Sequence, residues 1–91
     1  MNNAGRKTIE RIATALDELR GKIEDMKSEI EALRDEEQEK FENLSEGLQQ
    51  AERGQAIENA AAALEEAADA FDSIDSAIDE VISALSNASE G

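Results

Sequence analysis

The residues best placed to do chemistry are carboxylates. Asp69, Asp72, Asp75 and Asp79 step along the chain by three, three and four, a spacing that stacks them on one side of a helix. Stacked carboxylates attract divalent cations loosely, but a continuous helix cannot wrap Ca²⁺ as a loop with a central glycine does. The chain has no His and no Cys. That removes the usual general base, the commonest transition-metal ligands, the Glu-x-x-His arrangement of di-iron bundles and every thiolate nucleophile or disulfide. Glu37 and Lys40 stand as an acid and a base one helical turn apart, and their position reads as a solvated bundle end where two helices splay. No nucleophile–base pairing and no Gly-rich phosphate loop appears. The expectation is no enzyme, no metal, no cofactor and no small-molecule substrate.

What must position these groups is legible in the apolar residues. Ile9, Ile12, Leu16, Leu19, Ile23, Met26, Ile30 and Leu33 alternate steps of three and four. They are the a (9, 16, 23, 30) and d (12, 19, 26, 33) positions of four heptads, the pattern of a helix packed on another helix. The seam weakens at Glu37 and Lys40, and Phe41 and Leu44 take over after a shift. Between about Asn43 and Gly54 the composition turns to Asn, Ser and Gly, which marks a break with a short helical turn opened by Ser45. A second heptad run follows, with a at Ile57, Leu64, Phe71, Ile78 and Leu85 and d at Ala60, Ala67, Ile74, Val81 and Ala88. Its g column is alanine throughout (Ala56, Ala63, Ala70, Ala77, Ala84), and Ala61, Ala68, Asp75 and Ile82 occupy e. A face this wide belongs to a bundle member touching two neighbours.

Two helices of roughly 35 residues, each ~50 Å long at 1.5 Å per residue, flank a break too short to cross that distance, so the chain must fold back. The expected fold is all-α: one domain over residues 1–91, with a first helix at about 7–43, a turn at about 44–54 and a second helix at about 55–88 in an antiparallel coiled-coil hairpin. Matching a layers to d layers pairs Ile12 with Leu85, Leu19 with Ile78, Ile23 with Ile74, Met26 with Phe71 and Leu33 with Leu64. This register, set by apolar residues alone, puts Arg20 opposite Asp75 and Ala13 opposite Ile82. A single hairpin has a thin core. Self-association through the alanine column, giving a homodimeric four-helix bundle, supplies the missing contact. Gly21, at an f position, costs roughly 1 kcal/mol of helix stability and has no packing role in this register.

Charge sets the rest of the expectation. Of 91 residues, 23 are acidic and nine basic, a formal net charge of -14. All nine bases lie in residues 1–53, and residues 54–91 carry nine acids and no base. Such a surface repels phosphates, so direct binding of nucleic acid or an anionic membrane is not expected. The longest uninterrupted small apolar run, Ala60–Leu64, is too short to span a bilayer. No apolar signal segment follows the charged start, and the default location is the cytoplasm. Arg20, Lys27 and Arg34, all at e, read as flanking charges that fix helix pairing. Glu58, Glu65, Glu66, Asp69, Asp72, Asp75, Asp79 and Glu80 fall within 22 positions, all but Asp75 at b, c or f, away from the seam. Their spacing, one carboxylate per roughly 4 Å, is near the 3.4 Å per charge of a nucleic-acid strand. Two functions fit: an assembly or adaptor module that makes helix–helix contacts with other proteins, or an acidic mimic that occupies the nucleic-acid groove of a host protein. Arg53 and Gly54, placed in the turn, are its candidates for contacting a partner, beside the favoured reading of the pair as a helix start.

The phrase from Asp35 to Gln49, then Glu52, Arg53, Gly54 and Gln55 and the Ala-apolar-acid heptads beyond, resembles a family of small, acidic, uncharacterised coiled-coil proteins of phages and prophages. The likeness spans about residues 30–85; those relatives usually carry Pro where this chain has Ser45. It implies a viral or mobile-element origin, with the host cytoplasm as location, and no activity. The secreted WXG-type hairpins are similar in outline only, because the turn reads Ser45, Glu46, Gly47 without Trp and the chain has no Tyr for their export signal.

Overall fold

The computed structural model describes all 91 residues. The chain is all-α, in the order α1 (Asn3–Glu42), α2 (Glu46–Gln50) and α3 (Glu52–Glu90). The first helix starts earlier than the heptads suggest because Asn2 caps it: its side-chain Oδ1 accepts from the Gly5 N–H at 2.8 Å. It ends where the carbonyl of Phe41 accepts from Leu44 N–H, at 3.1 Å, instead of continuing the ladder. The side-chain amide of Gln49 donates to the same carbonyl, also at 3.1 Å.

The break is tighter than residues 44–54. Ser45 opens α2 as its N-cap, with extended backbone and its hydroxyl accepting from Leu48 N–H at 3.4 Å. Ala51, again extended, is the one residue between α2 and α3. Arg53 and Gly54 therefore lie in the first turn of α3, not in a loop. Gly54 is buried, and a Cβ there would stand 2.5 Å from Leu48 O and closer still to Gln49 O. Glycine is required because the start of α3 presses directly on the last turn of α2.

Packing divides the helical hairpin into two compact units: Met1–Asp25 with Phe71–Gly91, and Met26–Ala70. In the first unit, Arg6 Nε donates to Ser89 O at 3.0 Å and Arg20 Nε lies 3.0 Å from Asp75 Oδ1. As the α1 number rises from 6 to 20 the α3 number falls from 89 to 75, which is antiparallel pairing. The Arg20–Asp75 juxtaposition is the one the apolar register demands. In the second unit, α1 meets α3 beside Arg34 and Glu65, and α2 closes the end.

The stripe that forms the seam differs from the expected one. Ile23, Ala61, Ala68 and Ile78 are the buried apolar residues, and the half-buried ones include Ile9, Ala13, Leu16, Ile30, Phe41, Leu64, Ile82 and Leu85. Apart from Glu31 and Gln49, every residue that is not exposed from Ile9 to Ser89 lies at a or e (Gly54 is also at e). The d residues Ile12, Leu19, Met26, Leu33, Ile74 and Val81 are 41–47% exposed. The a-to-d pairs expected from the sequence, Leu19 with Ile78 among them, are therefore not the core layers. In the second unit small residues account for the change: with alanine buried at Ala61 and Ala68, α1 can pack on the a and e columns of α3, which leaves d to the side. At e on α1, Arg20 and Arg34 flank the seam with their guanidinium groups turned across it to acids of α3.

Candidate interaction faces

An antiparallel pair that turns inward through a and e on both helices has its two d columns on one side and its two b columns on the other. Each unit thus has an apolar side and an acidic side. In the first unit the apolar side carries Ile12 and Leu19 from α1 with Ile74 and Val81 from α3, all exposed. The g positions next to them are Thr8, Ala15 and Lys22 on α1 and alanine (Ala77, Ala84) on α3, and all are exposed. No carboxylate stands at d or g in this unit, although the chain has 23. In the second unit, Met26 and Leu33 on α1 stand exposed opposite a d column of alanine (Ala60, Ala67) on α3, with Ala56, Ala63 and Ala70 at g. Glu29 and Glu36 border this side on α1.

On the acidic side, Glu58, Glu65, Glu66, Asp69, Asp72, Asp79 and Glu80 are all exposed. They are not equivalent. Arg20 reaches Asp79 as well as Asp75, and Asp17 Oδ1 lies 3.9 Å from the same guanidinium. Arg34 stands 4.0 Å from Glu65, 3.9 Å from Glu31 and 3.1 Å from Asp35. The Asp35 hydrogen bond holds the Arg34 guanidinium above its ordinary value; burial works against it, and the charges of Asp35, Glu65 and Glu31 add to it. Asp79 and Glu65 on the row thus already have a cation from α1 beside them.

The other sites read from the sequence have structural partners. Lys40 Nζ and Glu37 Oε1 pair with each other at 3.0 Å across one turn. No group of three or more carboxylates converges as a metal site would. No helix is long and apolar enough to cross a membrane. Beside the turn a groove of about 660 Å³ is lined by Phe41, Gln49, Gln50, Gln55, Glu58 and Asn59, with Glu58 its one ionisable group. Such a groove has no acid–base pair and no nucleophile to activate.

The exposed d face is what sequence reasoning missed. The signal was present in the e column, whose Ala13, Ala61, Ala68 and Ile82 are as compatible with a seam as d is. Compared with models of protein families, with curated proteins and with solved structures, the chain finds no match.

Proposed function

We propose that this chain is a helical protein–protein interaction module, of assembly or adaptor type, that works by helix–helix contact and self-associates into a four-helix bundle. The observation that supports it is the exposed d column: six large apolar side chains at heptad spacing, outside the seam of their own hairpin. Burying such side chains is worth on the order of 1.5–3 kcal/mol each, a driving force the isolated hairpin leaves unused. The likeness of the turn phrase to small phage proteins is what supports a viral or mobile-element source. Mimicry of nucleic acid is the weaker reading, because Arg20 and Arg34 already engage Asp79 and Glu65 on the row a mimic would present.

The deciding experiment compares three forms as baits in a bacterial lysate at low and high salt. One is the wild type. The second has Glu65, Glu66, Asp69, Asp72, Asp79 and Glu80 changed to Gln or Asn; the third has Leu33→Gln and Val81→Gln. The module keeps its partners in the second form and loses them in the third. Loss in the second form, with recovery of basic proteins by wild type at low salt only, overturns the module in favour of mimicry.

A further inference from the structure

We infer that the d and g columns of each unit are covered by the same unit of a second copy of this chain, with α1 of one copy lying over α3 of the other. The inference rests on the interaction-module reading and specifies its face, its occupant and its orientation. Charge points to the face. A chain of net charge -14 repels its own copies, and contact between two copies is least costly where neither has carboxylates to desolvate. The d and g columns of Met1–Asp25 with Phe71–Gly91 meet that condition, holding Lys22 as their single charged residue, and in Met26–Ala70 the α3 columns meet it while Glu29 and Glu36 border the face on α1. The same absence of acids argues against a cationic partner there, which would find nothing to pair with.

Area fits as well. Each unit is about 30 Å long and about 20 Å wide, so its face is about 600 Å² per copy, or about 1,200 Å² counting both copies, the lower bound of a standard specific interface.

Orientation follows from size. The α3 g column is alanine throughout, whereas α1 carries Lys22, Glu29 and Glu36 at g. Stacking α1 on the partner's α1 would set these long side chains against each other and alanine against alanine on the other side, so the two contacts would need different spacings. Stacking α1 on the partner's α3 opposes bulk to alanine in both. It also sets Met26 and Leu33 towards the alanine d column of the partner's α3, and it is isologous, each unit meeting its own copy across a two-fold axis.

Light scattering and spin-label distances test this together. Wild type should show twice the mass of the 9.9 kDa chain at micromolar concentration, and association should strengthen with added salt as like-charge repulsion is screened. Leu19→Gln with Ile74→Gln should return the monomer mass with helical circular dichroism unchanged, because both side chains are already exposed in the single hairpin. The chain has no cysteine, so Asn87→Cys gives one label per copy near the end of α3. The proposed stacking gives a label separation of about 30 Å, whereas the end-swapped stacking of α3 on α3 gives about 50 Å or more. A 50 Å distance overturns the orientation, and a monomeric wild type overturns the second copy as occupant. A monomeric wild type whose Leu33→Gln, Val81→Gln form still loses its lysate partners leaves the module standing. If that form keeps them, the module reading falls too.

Discussion

Arg20 of α1 lies across the seam from Asp75 of α3, its Nε 3.0 Å from Oδ1, and the same guanidinium reaches Asp79 one turn further on. One cation thus spans two turns of the facing helix. Sliding the helices by a heptad would leave it beside Ile82 and Ser86 in one direction and beside Ala68 and Asp72 in the other, so either slip loses at least one carboxylate and the contact discriminates registers more than it adds stability. Asp75 is half exposed and Arg20 30% exposed, and solvent screening limits the pair to about 0–1 kcal/mol. A double-mutant cycle with Arg20→Gln and Asp75→Asn should give a coupling in that range that shrinks as salt is added. A coupling above about 2 kcal/mol would show that the seam is far drier there than its exposure indicates.

Two of the helical glycines, Gly21 and Gly54, have opposite roles. A Cβ at Gly21 meets nothing within 4 Å, so Gly21→Ala should stabilise the hairpin by about 0.5–1 kcal/mol. At Gly54 a Cβ would collide with the carbonyls of Leu48 and Gln49, backbone atoms that cannot swing aside. Gly54→Ala should destabilise by about 1–3 kcal/mol. Urea melts followed by far-ultraviolet circular dichroism read both, and a neutral Gly54→Ala would mean that α2 does not press on α3.

The seam assignment makes its own prediction. Ala68 at e is 2% exposed, whereas Ala62 at f faces solvent. Ala68→Leu should lower stability by about 1–3 kcal/mol through overpacking, while Ala62→Leu should change it by less than about 0.5 kcal/mol. Were d the seam, Ala68→Leu would be tolerated.

Net charge should dominate the response to salt. Screening weakens the Arg20 and Arg34 ion pairs, but it also weakens the mutual repulsion of a chain at -14, and the repulsion involves many more groups. Thermal melts should therefore rise between about 0.01 M salt, where the Debye length is about 30 Å, and about 1 M, where it is about 3 Å. A falling midpoint would mean that the few cross-seam pairs outweigh the repulsion.

The amino-acid sequence by itself determined that two long helices form, that they fold back on each other, and that Arg20 stands opposite Asp75. The first two follow from a seven-residue apolar repeat in each helix and a break too short to cross their length, whereas the third came from an a-to-d register whose flanking pair the structure keeps although its layers do not form the core. Ser45 as the opening of a short helical turn was legible in the same way, from residue type. The choice between a/d and a/e seams was not. On α3 the a, d, e and g columns are nearly all apolar, so hydropathy leaves the inward direction undetermined over a wide arc. Only the tertiary structure decided it, because close approach at Ala61 and Ala68 exists only when a particular face of α1 lies against them. The same packing placed Gly54 against α2, where the sequence suggested a free turn, and it moved Ile12, Leu19, Met26, Leu33, Ile74 and Val81 from the expected core to the exposed side. Periodicity reports that a residue repeats on a helix face, whereas burial depends on how closely the neighbouring helix can approach that face.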